Sequence, residues 1–552
     1  MKIFLCAINS KYIHSNLAVY SLKEYSKPSK AEIELGEYTI NNQKDDILKA
    51  IYKAHADVIC FSVYIWNLEY VIDISREFHK LCPNIPIWVG GPEVSYETEH
   101  FLTNHPWIKG AMLGEGEETF KDLCSYYQNM DCRKLSDVNG LLYKEDDQFM
   151  KTGFREALNL DTIPFPYKNI EDFQNRIIYY ESSRGCPFMC SYCLSSIDKG
   201  VRFRSLELVF KELSFFLDNK VPQVKFVDRT FNINPKRTTD LLKFIKEHDN
   251  GITNFHFEVA ADILTDNEIE IMKDMRPGLI QLEIGVQSTN ASTISEIHRS
   301  MNLEKLWANV KKIQSFKNIH QHLDLIAGLP FEDYDTFKNS FNELYSIYPD
   351  QLQLGFLKVL KGSYMYEHAK EYEAIWHEKP QYEIMSTKWL SYDDVLNLKN
   401  IEEILEVYYN SGQFPTSIRL LEKYFDTAFS MYEKFGQFYE EKGYFNMSHS
   451  RNRRGEILLE FIESLNIDPK AFYETLTFDL YYRENCKSRP SFAPDLKEWS
   501  ALSRKYATNS KLSHLERFTR PLPTISDDIE GQYYILFDYT GKNSIEIIKD
   551  CL

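Results

Sequence analysis

The sequence predicts an α/β protein in three parts: a doubly wound five-stranded domain, a partial (β/α)6 barrel and a mainly helical C-terminal domain. Three observations predict this fold class. Short apolar runs alternate with amphipathic segments over residues 1–130, strand-like runs with room for one helix between most of them recur over 171–370, and helical periodicity dominates 371–552. The length of 552 residues agrees with several domains, because single domains usually contain about 100–200 residues.

Five apolar runs are the predicted strands of the first domain. They are residues 2–8, 31–38, 58–63, 85–89 and 110–113. Such runs, separated by helical segments, are typical of a parallel sheet with helices on both faces. Ligands of doubly wound sheets bind beyond the carboxyl ends of the strands, so the loops after these runs are the expected ligand-binding rim.

Four of these loops carry an unusual set of residues. The candidates are Tyr12, His14, Tyr64, Trp66, Asn67, Gly90, Gly91, Pro92, Glu93, Gly114, Glu115 and Gly116. Glycines let the backbone approach a bulky ligand, and Tyr64 with Trp66 offers a flat apolar wall. We therefore expect the rim to bind a large planar cofactor, although any one loop, such as residues 90–92, is also explained as a simple strand-to-helix turn.

A connector over residues 131–170 separates the first domain from the barrel. Two prolines within residues 163–166 exclude a continuous helix, and residues 140–154 have the pattern of a hairpin. Six strand-like runs follow in the barrel region, at residues 177–182, 224–228, 255–260, 279–286, 322–327 and 351–359. Chemistry in such barrels gathers at the carboxyl ends of the strands.

The C-terminal domain, residues 371–552, is predicted to be mainly helical. Helical patterns cover residues 392–410 and 418–442, and a short strand is predicted at 533–538. Residues 483–520 contain nine basic and four acidic residues, in a chain whose net charge is −17. The overall charge argues against broad nucleic-acid binding, while this basic segment has two readings, an RNA contact or a solvated face, of which we favour the second.

No stretch approaches the roughly 18 uninterrupted apolar residues that a membrane-spanning helix needs. The apolar start of the chain is also too short for a signal peptide. We therefore expect a cytoplasmic protein without membrane partners. Ten cysteines without a secretion signal are then expected to be free thiols or metal ligands rather than disulfides.

Cys186, Cys190 and Cys193 lie within eight residues, directly after the first barrel strand. Three thiolates are one short of a closed structural zinc site, and the next cysteine is Cys486. Thiolates suit iron–sulfur clusters, and a cluster with three protein ligands leaves one iron open to a small molecule. These residues are therefore the strongest candidate for a metal centre and for catalysis.

The pattern Cys-x-x-x-Cys-x-aromatic-Cys at this position resembles the radical S-adenosylmethionine (radical SAM) superfamily. The segments around residues 183–185, 202–205, 226–228, 283–287 and 328–330 are similar to the branch that carries an N-terminal cobalamin-binding domain and an uncharacterised C-terminal domain. The resemblance implies a [4Fe-4S] cluster on the three cysteines, whose open iron binds S-adenosylmethionine (SAM), and a 5′-deoxyadenosyl radical formed by cleavage of SAM.

The resemblance also gives roles to other residues. Tyr192 is expected to lie against the SAM adenine, and Glu258, Glu283 and Gln287 are candidates for its ribose or methionine moiety, with Asp228 as a further cofactor contact. Cobalamin is expected across the rim described above. The Asp-x-His-x-x-Gly motif that donates a histidine to cobalt in many cobalamin proteins is absent. His14 is a candidate substitute ligand, but a hydrogen-bonding loop residue is the more ordinary reading.

Three functional hypotheses follow from the resemblance. The first is methylation of an unactivated carbon, in which SAM and cobalamin cooperate. The second is a cobalamin-assisted reduction or rearrangement without methyl transfer, such as deoxygenation of an epoxide on a modified tRNA nucleoside (epoxyqueuosine-type). The third is a non-catalytic cobalamin sensor, which the intact cysteine set disfavours. The expected partners are a small-molecule or tRNA substrate and an electron donor such as flavodoxin or ferredoxin.

Overall fold

The structure is a computed structural model that describes residues 1–129, 134–146, 148–197, 200–486, 488–507, 509, 511–523, 525, 531–541 and 544–548. The chain forms two compact units. The first contains Met1–Glu332 and Phe356–Trp389, and the second contains Asp333–Gly355 and Leu390–Leu552. The boundary predicted between residues 130 and 131 lies outside the described residues. Among the described residues, no helix is long and apolar enough to cross a membrane.

The first unit begins with the predicted doubly wound sheet. Its strands are β1 (Lys2–Asn9), β2 (Glu32–Thr39), β3 (Val58–Ser62), β4 (Ile87–Gly90), β5 (Gly110–Met112), β6 (Leu141–Glu145) and β7 (Gln148–Lys151). Its helices are α1 (Leu17–Tyr25), α2 (Lys44–Lys53), α3 (Leu68–Leu81), α4 (Thr98–Asn104) and α5 (Gly116–Tyr127). The strand order is β2-β1-β3-β4-β5-β6-β7. Because β2 and β3 lie on opposite sides of β1, the order reverses there, and such a point is where ligands of this fold bind.

Strands β1–β5 are parallel, as predicted. The predicted hairpin also forms, but β6 pairs antiparallel with β5, so the sheet has seven strands rather than five. Apolar side chains pack on both faces, for example Phe61 with Val71 on one and Cys60 with Phe120 on the other. Successive side chains of a strand point to opposite faces of the sheet, and both faces are buried. The strands of this sheet therefore appear in the sequence as continuous apolar runs.

The barrel portion of the first unit follows. Its strands are β8 (Ile178–Tyr180), β9 (Ser183–Arg184), β10 (Arg202–Phe203), β11 (Gln223–Phe226), β12 (Asn254–Val259), β13 (Ile280–Gln287) and β14 (His320–Ala327). Its helices are α6 (Leu206–Asp218), α7 (Pro235–Glu247), α8 (Asp266–Lys273), α9 (Ala291–Glu296) and α10 (Leu303–Ser315). Strands β8, β11, β12, β13 and β14 are parallel neighbours in this order. Strands β9 and β10 form a separate two-stranded antiparallel sheet.

The second unit is mainly helical. In chain order the remaining elements are α11 (Tyr334–Tyr345), β15 (Gln351–Phe356), α12 (Tyr364–His368), β16 (Ile375–Trp376), β17 (Ile384–Ser386), α13 (Tyr392–Leu405), α14 (Pro415–Glu422), α15 (Ala428–Lys442), α16 (Arg451–Ser464), α17 (Lys470–Arg483), α18 (Ser500–Tyr506), β18 (Ser513–Phe518), β19 (Tyr533–Asp538) and β20 (Ser544–Ile548). Strand β15 ends at the boundary between the units, and α12, β16 and β17 belong to the first.

The structure differs from the prediction at two places in the second unit. The helix predicted over residues 418–442 is instead two helices, α14 and α15. Helix α15 begins after Thr427, whose hydroxyl caps the helix by accepting a hydrogen bond from the Ser430 N–H. The predicted strand at residues 533–538 is present, but it is the middle of a three-stranded antiparallel sheet.

A buried carboxylate links strand β8, the segment after β10 and helix α6. The Glu212 carboxylate on α6 accepts hydrogen bonds from the Tyr180 hydroxyl at 2.7 Å and from Arg204 Nε at 2.9 Å. All three residues are buried. Removing one partner of a buried ion pair costs about 3–5 kcal/mol, because the remaining charge loses its partner.

We therefore expect Arg204→Met to lower the free energy of unfolding by about 3–5 kcal/mol. The double variant Arg204→Met/Glu212→Leu should recover most of this loss, because no buried charge remains. Urea unfolding followed by circular dichroism measures both. Lys80→Met, which removes an exposed partner of Glu77, is the control and should cost less than about 1 kcal/mol. Equal losses in the single and double variants would contradict this account.

Candidate active site

The three cysteines lie on a loop that follows β9 and is held by hydrogen bonds to distant parts of the first unit. Cys186 and Cys190 are buried, and Cys193 is half-buried. The Ser191 N–H donates to the Ile297 carbonyl, and the Ser191 carbonyl accepts from the Met365 N–H, both at 2.9 Å. The loop between the second and third cysteine is therefore fixed on two sides by backbone contacts.

Asp228 holds the start of this loop. One carboxylate oxygen accepts the Ser182 N–H at 2.8 Å, and the other accepts the hydroxyls of Ser182 and Ser183 at 2.6 and 2.7 Å. Burial raises the pKa of Asp228, while these hydrogen bonds act in the opposite direction. Asp228 was predicted to contact a cofactor, but its oxygens are used to position the residues that lead to Cys186.

Two residues that the sequence analysis did not single out contact the cysteines. Arg299 Nη1 lies 3.7 Å from Cys190 Sγ and donates to the Tyr192 hydroxyl at 3.2 Å. The Thr230 hydroxyl lies 3.6 Å from Cys186 Sγ. Both residues lie in loops far from the cysteine motif in sequence, and neither belongs to a pattern that predicts such a contact.

Glu258, Glu283 and Gln287 all lie on the two central strands β12 and β13 of the barrel. The register pairs Glu258 with Glu283 and Glu283 with His322. Glu283 lies 2.9 Å from both Lys225 Nζ and His256 Nε2. Burial alone would raise the pKa of Glu283, but His256 and Lys225 outweigh it and lower the pKa to about 2. Glu283 is therefore ionised, and its carboxylate is already paired with the side chains of Lys225 and His256.

Glu258 is in a different environment. Burial raises its pKa to about 7, Glu283 adds to the rise, and Arg229 and Lys225 oppose it. The neighbouring carboxylate of Asp324 also lies in this cluster, where ligand atoms of Glu283, His322 and Asp324 are within 4.8 Å of one another. Near neutral pH, Glu258 is thus a carboxyl group that can both accept and donate a hydrogen bond.

Gln287 lies at a break in the ladder at the end of β13. The register shifts between Gly285 and Gln287, and Gln287 has a φ of 69°. The Gln287 Oε1 atom is buried and has no hydrogen-bond partner. A buried acceptor without a partner is costly, so this amide is suited to a ligand that brings a donor.

Tyr64 and Trp66 form the flat apolar wall that the sequence predicted. Their rings stack at a centroid distance of 4.5 Å and an angle of 5°, and Trp66 is 36% exposed. Asn67 is buried, and its amide donates to the carbonyls of Ile8 and Ser62 and accepts the Tyr64 N–H. Asn67 therefore shapes this loop rather than offering its side chain to a ligand.

The loop after β4 contains the other predicted glycines. Gly91 has a φ of 124°, and a Cβ atom there would collide with the Val63 carbonyl, so no other residue fits. Gly90 has no such constraint, since a Cβ would lie 3.4 Å from Met112. Pro92 begins a short 3-10 turn, Pro92–Val94. Glu93 accepts a hydrogen bond from the Tyr382 hydroxyl.

The loop after β5 contacts the strands that flank the cysteine loop. Gly114 has a φ of 72° with open space around its Cα, and Gly116 begins α5. Glu115 forms ion pairs with Arg202 and with Arg184, the latter at 3.4 Å. Glu117 also pairs with Arg184, at 2.7 Å. Glu115, a predicted cofactor contact, thus joins the first domain to the barrel strands.

The loop after β1 also contacts the barrel. The Tyr12 ring is 64% exposed, and the Arg176 guanidinium lies 4.8 Å from its centroid. His14 Nδ1 shares a hydrogen bond of 2.8 Å with the hydroxyl of Tyr179 on β8. Burial, with Lys11 and Lys225, lowers the pKa of His14. These contacts support the reading of His14 as a neutral hydrogen-bonding residue.

The residues present fit two of the implied groups, the cluster and cobalamin. The three thiols have the donor chemistry of an iron–sulfur cluster. Buried polar atoms without partners lie beside them at Ser191 Oγ, next to Cys190 in sequence, and at Arg299 Nε, on the side chain that contacts Cys190. A third such atom is Gln287 Oε1 on β13. On the rim, the open backbone at Gly114 and the exposed face of Trp66 offer surface to a large planar ligand.

Three family models match successive parts of the chain. Residues 5–124 match the B12 binding domain, residues 180–344 match the radical SAM superfamily, and residues 370–540 match a protein of unknown function family, DUF4080. The chain is a radical SAM enzyme with a B12-binding domain. This confirms the family predicted from the cysteine motif and the rim, and cobalamin, SAM and a [4Fe-4S] cluster are the cofactors of these domain families.

Two curated relatives of this chain are named as methyltransferases. An uncharacterised methyltransferase of Pyrococcus horikoshii is 26% identical over 335 residues, which cover 59% of this chain and 72% of the relative. The cobalamin-dependent radical SAM methyltransferase TokK of Streptomyces tokunonensis is 25% identical over 316 residues. That match covers 52% of this chain but only 44% of TokK.

Two solved structures share the fold. The cobalamin-dependent SAM radical enzyme OxsB, with aqua-cobalamin bound, has a TM-score of 0.59 at 16% identity and covers 92% of this chain and 84% of OxsB. The radical SAM methyltransferase TsrM from Kitasatospora setae, with cobalamin and a [4Fe-4S] cluster bound, has a TM-score of 0.57 at 14% identity. It covers 69% of this chain and 78% of TsrM. The predicted fold class is confirmed.

The two glycines of the β4 loop give a matched test of the rim. Gly91→Ala should lower the melting temperature of the apoprotein and reduce retained cobalamin, because alanine is strained at this φ and its Cβ collides with Val63. Gly90→Ala should leave the melting temperature close to that of the parent. Differential scanning calorimetry and the cobalamin absorbance after gel filtration measure the two effects. The same loss in both variants would contradict the assignment.

The raised pKa of Glu258 predicts a pH-dependent stability. Because the pKa is above its ordinary value of 4.5, the contribution of Glu258 to stability is complete below pH about 4.5 and is lost as pH rises through about 7. The melting temperature of Glu258→Gln, relative to the parent, should therefore increase between pH about 5 and about 8. Glu207→Gln changes an exposed residue and is the control. A difference that does not vary with pH would refute the prediction.

Proposed function

We propose that the chain is a cobalamin-dependent radical SAM methyltransferase that methylates an unactivated carbon of a small molecule. When bound, the cluster, SAM and cobalamin supply a 5′-deoxyadenosyl radical and a methyl group for transfer. The methyltransferase names of the relatives support the transfer of a methyl group. The bound tryptophan of one TsrM structure is an example of a small-molecule substrate in a protein of this fold.

One observation carries the proposal. Glu115 and Glu117, in and after a loop of the cobalamin-binding domain, form ion pairs with Arg184, which lies two residues before Cys186. His14 and Tyr179 make a second contact between the same two parts of the first unit. A radical must reach a substrate that also meets the methyl donor, and these contacts between the segments that carry the two candidate cofactor sites support such an arrangement.

The residues around the site then have distinct roles in the proposal. Cys186, Cys190 and Cys193 hold the cluster, and Tyr192 with Gln287 contacts SAM. Tyr64 and Trp66 would offer an apolar surface to cobalamin and help to exclude water from it. Glu258 holds a proton near neutral pH and offers a hydrogen bond to the substrate or to SAM.

The reductive alternative on a tRNA nucleoside has less support. It depended on the basic segment at residues 483–520. Arg489 pairs with the buried Glu516, and Arg483 donates to the Ser411 carbonyl. Two of the basic side chains of this segment thus bind groups of the second unit itself. We retain flavodoxin or ferredoxin as the proposed electron donor, since reductive cleavage of SAM requires one electron.

Replacing the three cysteines tests the proposal. The triple variant of Cys186, Cys190 and Cys193 to Ala should lose iron and all cleavage of SAM to 5′-deoxyadenosine, while retaining cobalamin, because the rim is unchanged. The anaerobically reconstituted parent should carry about four irons. Iron analysis, the cobalamin absorbance and chromatography of the SAM products measure these outcomes.

Cys82→Ala is the control, because Cys82 ends helix α3 away from the motif, and it should retain both iron and cleavage. With a substrate, S-adenosylhomocysteine and a product heavier by one methyl group are expected. A product that lacks an oxygen atom, formed without S-adenosylhomocysteine, would instead establish the reductive alternative. Cleavage of SAM by the triple variant would falsify the assignment of the cluster.

A further inference from the structure

Arg299 joins two parts of the candidate active site, the cysteine loop and strand β13. It lies after α9, and its guanidinium reaches Cys190 Sγ at 3.7 Å and the Tyr192 hydroxyl at 3.2 Å through Nη1. Through Nη2 it donates to the Gly285 carbonyl in β13. One side chain thus contacts the cysteine loop and the strand that carries Gln287.

Gly285 on β13 lies close to both Arg299 and Gln287. A Cβ atom there would collide with the Gln287 amide and lie 3.6 Å from Arg299 Nη2. The register between β13 and β14 shifts between Gly285 and Gln287, and the Gly285 carbonyl accepts a hydrogen bond from the guanidinium. The position of Arg299 is therefore set by the backbone of β13 and not by a flexible surface contact.

A positive charge that donates a hydrogen bond to a cluster ligand has a known electrostatic consequence. Reduction adds negative charge to an iron–sulfur cluster, and hydrogen bonds to its sulfur ligands and nearby positive charge stabilise the reduced form. Arginine is suited to this role because it stays charged when buried and its planar fork can donate in several directions at once. Lysine has neither the fork nor the reach to make all three contacts.

We propose that Arg299 is a positioning residue that raises the reduction potential of the cluster through its contact with Cys190. This inference rests on the proposed function, since it requires a cluster on the three cysteines. It goes beyond that function because it assigns control of the electron-accepting step to a residue outside the cysteine motif. Tyr192 and Gly285 hold the guanidinium in place for this contact.

The test is a redox titration of the reconstituted cluster, followed by the electron paramagnetic resonance signal of its reduced form. Arg299→Gln should lower the ratio of reduced to oxidised cluster about tenfold at a fixed potential, a shift of about 59 mV to more negative values for one electron. Arg299→Lys retains the charge but loses the fork and should give a smaller shift in the same direction.

Arg276→Gln is the matched control. Arg276 is also a barrel arginine bound to a carboxylate and a carbonyl, those of Asp249 and Thr253, and the structure shows no contact of it with Cys186, Cys190 or Cys193. Its replacement should leave the potential unchanged. If Arg299→Gln does not assemble a cluster, Arg299→Lys decides the question, and a potential equal to that of the parent overturns the proposal.

Failure of this inference is distinguishable from failure of the proposed function. If the parent protein assembles no cluster, the proposed function fails. If the parent and Arg299→Gln both assemble a cluster and have the same potential, or if Arg276→Gln shifts the potential equally, only the role of Arg299 is wrong.

Discussion

The ion pairs of Arg184 are the interaction on which the arrangement of the first unit depends. Arg184 lies between Glu117 of the cobalamin-binding domain and Glu181 of the barrel, both at 2.7 Å, and its own strand leads directly to Cys186. The carboxylates and the guanidinium are largely withdrawn from solvent, so neither side can be separated without leaving a charge unpaired. The same residue therefore connects the two domains and begins the cluster loop.

Much of the fold could be predicted from the sequence because its signals are local. Strands β1, β3, β4 and β5 are apolar runs of the length that a buried parallel strand requires, and the cysteine motif contains its own spacing. The hairpin β6–β7 could also be predicted, but its pairing with β5 could not, because the pattern of residues 141–151 does not indicate which strand the hairpin pairs with. The break before Thr427 was missed for a related reason: the apolar periodicity continues across it.

The candidate site was harder to predict, because its geometry depends on contacts between distant residues. The sequence assigned Asp228, Asn67 and Glu115 to cofactors, since polar residues after strands commonly bind ligands. In the structure all three have their polar atoms engaged by neighbouring protein groups. Arg299 and Thr230 were missed for the converse reason, as their closeness to the cysteines arises only when the barrel closes around the loop.

The hairpin after β5 has a further consequence. Without it, β5 would offer unpaired backbone groups to a strand of another molecule, which is a common route to aggregation. Strand β7 takes its place at that edge, and it is only four residues long and ends in Lys151. At the opposite edge, β2 carries Glu32 and Glu34. Charged residues at both edges and the shortness of β7 therefore disfavour the pairing of a further strand with either edge.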